Sequence, residues 1–431
     1  MTATTTDRPT TTTAEATPMG VGASVAQEDL VRALRFVRTP RVRRGPGLVL
    51  LEHDGAALTI TGQDWPGSAT VEVSSRVLCP GRPGRSVIDA AGLAATAQAI
   101  GRRATVFLSA TSSAEDARLT VEGAGVSYAL TQAGPDDWTP LEAGGAVLLA
   151  TMTGEAMASA ARPAYAASDD GTLPILTAVR VHVDDGQLVT AATDRYRLAR
   201  ATADVEVGVT RRDLLAPARP LLALADRWRA ARTVTWDVLD AGPAAAGYVR
   251  WSSGGETWTQ ALVAGEYPKI DKLLPDPASR ATWVDVDRAA LLAGFARVSA
   301  LTARNDPLRL QLIERVKDGC LHPVLQLTAA SAVGDATLDV PVDTWNAANH
   351  DPGRIAAALN TRFAPEALRS LTSTRVRLSF DDSNPTGKPI LAWQSPARPA
   401  PDPDDLGAAP EPDDTLRSLL MPVLMPARTA D

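Results

Sequence analysis

The chain has 431 residues, of which 45% are hydrophobic and 22% are charged. This length and balance predict a soluble protein of two to four folded domains and exclude a fibrous or wholly disordered chain. The chain has 43 Lys and Arg against 50 Asp and Glu, a net charge of −7, so its average surface repels nucleic acid and any DNA contact must be local.

Cysteine use and hydropathy bear on the location of the protein. Cys79 and Cys320, the only two cysteines, lie far apart in sequence, which excludes a disulfide scaffold or a multi-cysteine zinc site. No stretch reaches the roughly 18 apolar residues of a membrane span, and the N-terminus lacks the features of a signal peptide. We therefore expect a cytoplasmic protein that is neither anchored nor exported.

Two segments of low complexity frame the chain. Residues 1–24 are rich in threonine and poor in large apolar side chains, so we predict a disordered tail and a folded chain from Val25 onward. Residues 395–414 combine proline with aspartate and glutamate, which predicts an extended acidic loop in the last domain.

An internal repeat organises the residues between these segments. Asp-Gly dipeptides occur at Asp54, Asp185 and Asp318, separated each time by about 130 residues. Asp-Gly between alternating apolar runs predicts a tight β-hairpin, because both central positions of the turn need a positive φ. The even spacing predicts three copies of one unit.

The flanks of the hairpins repeat as well. Each hairpin follows an amphipathic stretch with apolar residues three and four apart and precedes a second helical stretch and closing strands. The first stretches are Val25–Val37, Met152–Ala167 and Val284–Ala303; the second are Asp89–Ile100, Asp213–Trp228 and Ala358–Leu371; the closing strands include Ala104–Ser109, Thr233–Leu239 and Thr374–Phe380. We predict an α+β fold of three repeated domains, 25–142, 143–276 and 277–431, each with two helices and antiparallel sheets.

Arginines stand out on the first predicted helix. Arg32, Arg35 and Arg38 follow at three-residue steps, and Arg41, Arg43 and Arg44 come directly after them. A lone run of this kind is most often a solvated helix face, whereas the alternative is a surface that contacts DNA phosphates without sequence preference. Repetition favours the second interpretation, since the later helical stretches carry Arg211, Arg212, Arg219, Arg227 and Arg229, then Arg288, Arg297, Arg304, Arg362 and Arg369.

Motifs of catalysis are absent from the sequence. The histidines His53, His182, His322 and His350 show no metal-ligand spacing, and there is no phosphate loop or nucleophile elbow. The pairs Asp136-Asp137, Asp169-Asp170 and Asp381-Asp382 lie in turn-like sequence. The sequence favours a binding protein without metal or cofactor over the alternative of a metal-dependent nucleic-acid hydrolase.

Three segments carry a family resemblance. Residues 172–199 (TLPILTAVRVHVDDGQLVTAATDRYRLA), 265–275 (GEYPKIDKLLP) and 419–423 (LLMPV) resemble, in order and spacing, the bacterial sliding clamps, the β subunits of DNA polymerase III. The resemblance implies a head-to-tail homodimer that closes six domains into a ring around duplex DNA, with helices inside. It implies a non-catalytic processivity factor that binds the polymerase α subunit, the clamp loader and repair proteins.

The resemblance also implies a pocket for short peptide motifs between the second and third domains. Its residues would be Leu176, Thr193, Arg195, Tyr196, Arg197, Leu198, Pro268, Lys272, Leu273, Leu420, Met421, Pro422 and Val423. Arg197 and Lys272 would meet polar or C-terminal groups of the peptide. For Leu176 and Leu198 alone, ordinary strand core is an equally good interpretation.

Contacts to a second chain and to DNA are implied in the same way. The ring interface would use Tyr128 and Leu130 on one side and Ala300 and Leu301 on the other, although Ala300 is smaller than the usual residue there. DNA contacts would come from Arg35, Arg38 and Arg219 and from the run at Arg41, Arg43 and Arg44.

The C-terminus departs from the family pattern. The chain reads LLMPVLMPARTAD, so either Met421-Pro422 or Met425-Pro426 could line the pocket, and we favour the first because Leu419 and Leu420 fit a strand. This departure and Ala300 leave open a divergent paralogue that acts as a partner-binding scaffold without being loaded on DNA.

Overall fold

The computed structural model describes most of the chain between residues 21 and 420. The described residues are 21–38, 47–54, 57–64, 67–73, 75–77, 84–110, 117–141, 143–208, 213–240, 247–274, 282–302, 306–331, 333–346, 355–380, 391–396 and 412–420. The fold is α+β with antiparallel sheets, as predicted. It divides into two compact units, the first formed by 1–142 with 255–259 and the second by 143–254 with 260–431.

The first unit contains two sheets and two helices. Its strands are β1 Gly22–Ala26, β2 Leu48–His53, β3 Leu58–Asp64, β4 Gly67–Val73, β5 Ser75–Val77, β6 Gly84–Asp89, β7 Thr105–Ala110, β8 Arg118–Gly123 and β9 Val126–Thr131, and its helices are α1 Gln27–Val37 and α2 Ala90–Ile100. One sheet has the order β5-β1-β7-β8-β9. The other has the order β4-β3-β2-β6, with residues 256–259 alongside β4.

Each helix of this unit directly continues a strand. Asp89 ends β6 and caps α2, its carboxylate accepting the Gly92 N–H at 2.6 Å. The Gln27 side chain at the start of α1 donates to the Ala97 carbonyl of α2 at 2.9 Å, which ties the two helices together. Leu30 and Leu34 of α1 are fully buried, so the apolar spacing read from the sequence does mark the face that packs inward.

The second unit is larger and contains three sheets. Its strands are β10 Ala146–Met152, β11 Ala178–Asp184, β12 Gln187–Thr193, β13 Arg197–Asp204, β14 Glu206–Val207, β15 Leu214–Pro217, β16 Val234–Leu239, β17 Tyr248–Ser253, β19 Thr282–Asp287, β20 Pro307–Lys317, β21 Cys320–Ser331, β22 Gly334–Pro341, β23 Thr344–Asn346, β24 Ala356–Asn360, β25 Arg375–Phe380, β26 Leu391–Pro396 and β27 Pro412–Leu420. Its helices are α3 Gly154–Ala161, α4 Ala218–Arg227, α5 Arg288–Val298 and α6 Phe363–Ser370. Strand β18, Glu256–Ala261, belongs to the first unit through residues 256–259.

The sheet order of this unit brings distant segments together. The sheets run β14-β10-β16-β17, then β15-β11-β12-β13-β27-β26-β25-β19-β23, then β22-β21-β20-β24. In the nine-stranded sheet, β13 pairs with β27 from Arg197 opposite Leu420 to Ala201 opposite Leu416. Leu419 and Leu420 therefore do lie in a strand, as predicted.

Two of the predicted Asp-Gly hairpins have the expected backbone. Asp185 and Gly186 have φ values of 45° and 79°, and Asp318 and Gly319 have 55° and 78°. At the first hairpin, which joins β2 and β3, Gly55 lies outside the described residues. The third hairpin, β20 with β21, is the longest, and residues 314–322 at its tip are all exposed.

The structure moves several predicted boundaries. The stretches beginning at Val284, Asp213 and Ala358 each open with a strand, and their helices begin only at Arg288, Ala218 and Phe363. These strands carry runs of consecutive buried residues, and periodicity alone does not distinguish such a run from the start of the helix that follows.

The two low-complexity segments also differ from their predicted limits. Strand β1 begins at Gly22, earlier than the predicted start at Val25, because residues 22–26 pair with β5 and β7. Ser395 and Pro396 lie in β26, and 412–414 lie in β27, so both ends of the predicted acidic loop are strand. Residues 1–20 and 397–411 lie outside the described part of the chain.

A buried ion pair joins β19 to β25. Both Asp285 carboxylate oxygens accept from the Arg377 guanidinium, at 2.8 Å to Nε and 2.7 Å to Nη2. The Thr344 hydroxyl donates to the same carboxylate at 3.0 Å, and the guanidinium lies 3.8 Å from the centre of the Trp283 ring. The opposite charges, the hydrogen bonds and the contact with the ring together offset the free energy that removing two charges from water costs.

We expect Asp285→Ala to lower the free energy of unfolding by about 3–5 kcal/mol, because it leaves the Arg377 charge buried without a partner. Urea unfolding followed by tryptophan fluorescence measures the loss. The control is Asp29→Ala, which removes the exposed Arg32–Asp29 pair of α1 and should cost less than about 1 kcal/mol. Equal losses in the two variants would contradict the role given to the buried pair.

Candidate functional site

The turn between β12 and β13 is held by its own side chains. The Thr193 hydroxyl donates to the Arg197 carbonyl at 2.7 Å and accepts the Arg195 N–H at 3.1 Å. One Asp194 oxygen accepts the N–H groups of Tyr196 and Arg197 at 3.0 and 2.9 Å. These bonds hold Arg195 at a φ of 79°, a conformation that non-glycine residues seldom adopt. The turn is a rigid feature that presents Tyr196 outward.

Arg197 has a different role from the one its sequence position suggested. Its side chain is buried and binds Asp194 through Nε at 3.0 Å and Glu366 of α6 through Nη1. The guanidinium also lies 4.8 Å from the centre of the Phe363 ring. With its donors directed at protein carboxylates, Arg197 fixes the turn against α6 and does not face outward to meet a peptide.

Tyr196 and Leu273 are large exposed apolar side chains in the described part of the predicted pocket. Tyr196 is 58% exposed and stacks on Phe363, with ring centres 5.8 Å apart and planes at 22°. Leu273 is 59% exposed and ends a short 3₁₀ turn, Asp271–Leu273, that also carries the exposed Lys272. Leu176, in the 3₁₀ turn Pro174–Thr177, and Leu198, in β13, are both buried. Phe363 also packs against Tyr196, but the sequence did not predict this contact, because no sequence pattern links the two residues.

Tyr267 fastens the segment 265–274 to the sheet. Its hydroxyl accepts the Thr193 N–H at 2.9 Å and donates to the Ala178 carbonyl at 3.4 Å. Burial raises the pKa of this phenol to about 12. Arg180 adds an ion pair to Asp271 at 2.7 Å. The segment that carries Pro268, Lys272 and Leu273 is thereby fixed next to the Thr193–Arg197 turn.

The C-terminal wall of the predicted pocket is only partly described. Leu420 ends β27 opposite Arg197, which brings the end of that strand to the same turn. Met421, Pro422, Val423 and the second pair Met425-Pro426 lie outside the described residues. The structure therefore gathers the residues from 193–198, 265–274 and Leu420 and leaves the choice between the two Met-Pro pairs as a prediction.

The predicted DNA contacts lie on two helices. Arg35 and Arg38 lie on α1 and at its C-terminal end, while Arg41, Arg43 and Arg44 fall outside the described residues. Arg219 lies in the first turn of α4, and its Nη2 is 3.2 Å from Asp169 Oδ1. Asp169, predicted as a plain turn residue, also accepts from Arg362 at 3.0 Å.

The predicted interface residues lie at exposed positions in each unit. Tyr128 and Leu130 are partly exposed on β9, which is the last strand of its sheet among the described residues. Ala300 and Leu301 lie in the 3₁₀ turn Ser299–Leu301 after α5, and both are exposed. Strand β22 is likewise the last described strand of its sheet.

Two of the described histidines have pKa values lowered by their surroundings. His53 is buried, and burial lowers its pKa; His182 has a lowered pKa because of burial and the nearby Arg180 charge. Within the described ranges, no three His, Cys, Asp or Glu residues are placed to hold a metal ion. No helix in the same ranges is long and apolar enough to cross a membrane.

Comparisons with known proteins agree with this geometry. Residues 155–269 match the family model of the DNA polymerase III β subunit, central domain. The chain is 38% identical over 170 residues to the β sliding clamp of Micrococcus luteus, covering 38% of this chain and 52% of that protein. It is 29% identical over 281 residues to the β sliding clamp of Streptomyces coelicolor, covering 63% of this chain and 66% of that protein. The chain thus spans about half to two thirds of these relatives.

Solved structures show the same fold. A sliding clamp from Pseudomonas aeruginosa, DNA polymerase III subunit β, superposes with a TM-score of 0.75 at 20% identity, over 94% of this chain and all of that one. The fold of the chain is therefore that of the solved sliding clamps. The match of residues 155–269 and the similarity to named β sliding clamps confirm the resemblance to bacterial DNA polymerase III β subunits that the sequence showed.

We expect Tyr267→Phe to lower the free energy of unfolding by about 1–3 kcal/mol, because the buried Thr193 N–H loses its acceptor. Urea unfolding measures the difference. Tyr196→Phe is the matched control, since it removes a hydroxyl from a largely exposed ring and should change stability by less than about 0.5 kcal/mol. An unchanged Tyr267→Phe variant would show that the hydroxyl does not hold the two segments together.

Proposed function

We propose that this chain is a DNA sliding clamp, a non-catalytic subunit that encircles duplex DNA and tethers a replicative DNA polymerase. One observation carries the proposal. The region that matches the family model of the central domain, 155–269, contains the turn at Thr193–Arg197 and its Tyr267 anchor, which supports a docking site at this turn. Such a protein acts in the cytoplasm, where its DNA and polymerase are found.

A ring of two chains is the assembly we propose. Six times in the described chain a helix begins no more than three residues after the end of a strand, twice in each of the three predicted domains. The exposed residues of β9 and of the turn at Ser299–Leu301 differ from each other, so a contact between them is head-to-tail, and two such contacts close a dimer. Tyr128 and Leu130 would meet Ala300 and Leu301 of the partner.

DNA binding in this proposal is electrostatic and independent of sequence. Arginines at Arg35, Arg38 and Arg219 give local positive charge on helices of an otherwise acidic protein. Phosphate contacts of this kind carry no sequence information and are equivalent at every step along the duplex, so the ring can slide. Retention on DNA would follow from topology more than from affinity.

The proposed docking site for partner peptides is the surface formed by Tyr196, Lys272 and Leu273, which we call the groove. Two exposed apolar side chains, Tyr196 and Leu273, can bury against an apolar peptide, and the Lys272 ammonium can meet a carboxylate. The partners would be the DNA polymerase III α subunit, the clamp loader and other proteins with a clamp-binding motif. The alternative of a scaffold that is never loaded on DNA is not favoured, since the similar proteins are named as sliding clamps.

We expect light scattering over a concentration series to give twice the chain mass of 45.2 kDa. Leu301→Arg should produce the single-chain mass, because a charge would be placed in the apolar contact. Leu273→Arg, an equal change in the groove, should leave the dimer intact. A wild-type chain that stays monomeric would contradict the ring and favour the scaffold.

We expect Tyr196→Ala and Leu273→Ala each to weaken binding of a fluorescent peptide from the polymerase C-terminal tail by about tenfold, as loss of a buried anchor does. Fluorescence anisotropy measures the affinity. Leu321→Ala, which removes an equally exposed leucine from the β20–β21 hairpin, is the control and should bind as the wild type does. Unchanged affinity in both groove variants would place the peptide site elsewhere.

A further inference from the structure

Two arginines of the second unit converge on one carboxylate. Arg219 Nη2 lies 3.2 Å from Asp169 Oδ1, and Arg362 Nη2 lies 3.0 Å from Asp169 Oδ2. Arg219 is 76% and Asp169 61% exposed at the side chain, so water reaches the cluster. Arg362 also pairs with Glu366 at 3.4 Å, which steadies its guanidinium at the start of α6.

The fold holds the three groups together from separate elements. The 3₁₀ segment Arg162–Ala166 packs against both α4 and α6, and Asp169 follows it by three residues. The loop is then fixed, because Ser168 N–H donates to the Leu176 carbonyl at 2.8 Å and Thr172 donates twice to Asp170. The Asp169 carboxylate is thereby kept between the two helix starts.

A third arginine faces the same loop. Hydrogen bonds from the Thr172 N–H and hydroxyl lower the pKa of Asp170, and the Arg195 charge lowers it further. Arg195 belongs to the Thr193–Arg197 turn. Two adjacent carboxylates therefore lie near three arginines contributed by three different elements.

We propose that Arg219 and Arg362 form a single binding site for a phosphate of the DNA backbone, which Asp169 occupies when DNA is absent. The inference rests on the proposed clamp function. A guanidinium binds carboxylate and phosphate oxygens with the same geometry, so a phosphate can take the place that Asp169 now fills. An exposed ion pair is weak enough to be exchanged, whereas the buried Arg197 pair is not.

Asp169 then acts as an internal competitor of DNA. Each phosphate contact must first release the arginines from the carboxylate, which lowers the affinity of the site without removing its positive charge. Weak contacts suit a ring that moves along the duplex. The sequence marked Arg362 as one of ten repeated arginines, and the geometry singles it out as the one that shares a carboxylate with Arg219.

The test measures binding of a fluorescent 30-base-pair duplex to the full-length chain by anisotropy at several salt concentrations. We expect Asp169→Asn to bind about two- to fivefold more tightly than Asp136→Asn, a control of equal charge in another loop. Arg362→Gln should bind about two- to fivefold more weakly than Arg315→Gln and should reduce the slope of log K against log salt by about one. Thermal unfolding checks that all four variants are folded.

The outcomes separate this inference from the clamp function. If Asp169→Asn binds as Asp136→Asn does, or Arg362→Gln as Arg315→Gln does, the shared phosphate site is overturned while DNA binding by the wild type still supports the clamp. If the wild type and every variant fail to bind the duplex even at low salt, both the site and the clamp function are overturned.

Discussion

The backbone ladder between β13 and β27 is the constraint on which the larger unit depends. It joins two strands far apart in sequence and completes one nine-stranded sheet, so neither strand is left with an open edge. Arg197 and Leu420 form the last pair of the ladder. The proposed docking site therefore lies where the ladder ends, and the ladder brings the end of β27 to the same turn that Tyr267 joins to residues 265–274.

Arginines of this acidic chain form ion pairs with carboxylates in two environments, buried and exposed. Where the pair is buried, as in Arg377 with Asp285 and Arg197 with Asp194, the charges are fully satisfied inside the protein and hold elements in place. Where the pair is exposed, as in Arg219 with Asp169, water and other anions compete for the same donors. Burial thus divides one residue type into structural arginines and arginines free to exchange partners.

Local signals in the sequence predicted local structure well. Asp185-Gly186 and Asp318-Gly319 predicted their hairpins because positive φ is a property of the turn residues themselves. Helix starts were predicted too early. The third amphipathic stretch was predicted from Val284, whereas its helix begins at Arg288, because the apolar residues of a strand run on into those of the helix that follows. The ion pairs of Arg197 and Arg362 could not be predicted, since Glu366 and Asp169 become neighbours only through the tertiary fold. For the groove, the resemblance supplied which segments meet but not that Arg197 faces inward.

The long hairpin of β20 and β21 has a buried base and an exposed tip, and the two parts differ in local stability. Its base carries buried leucines such as Leu310 and Leu327, while residues 314–322 bury none of their side chains. Opening the tip therefore exposes almost no new apolar surface and breaks few bonds beyond the hairpin's own ladder. Amide protons there exchange with solvent through local fraying, whereas those at the base exchange only when the whole core opens.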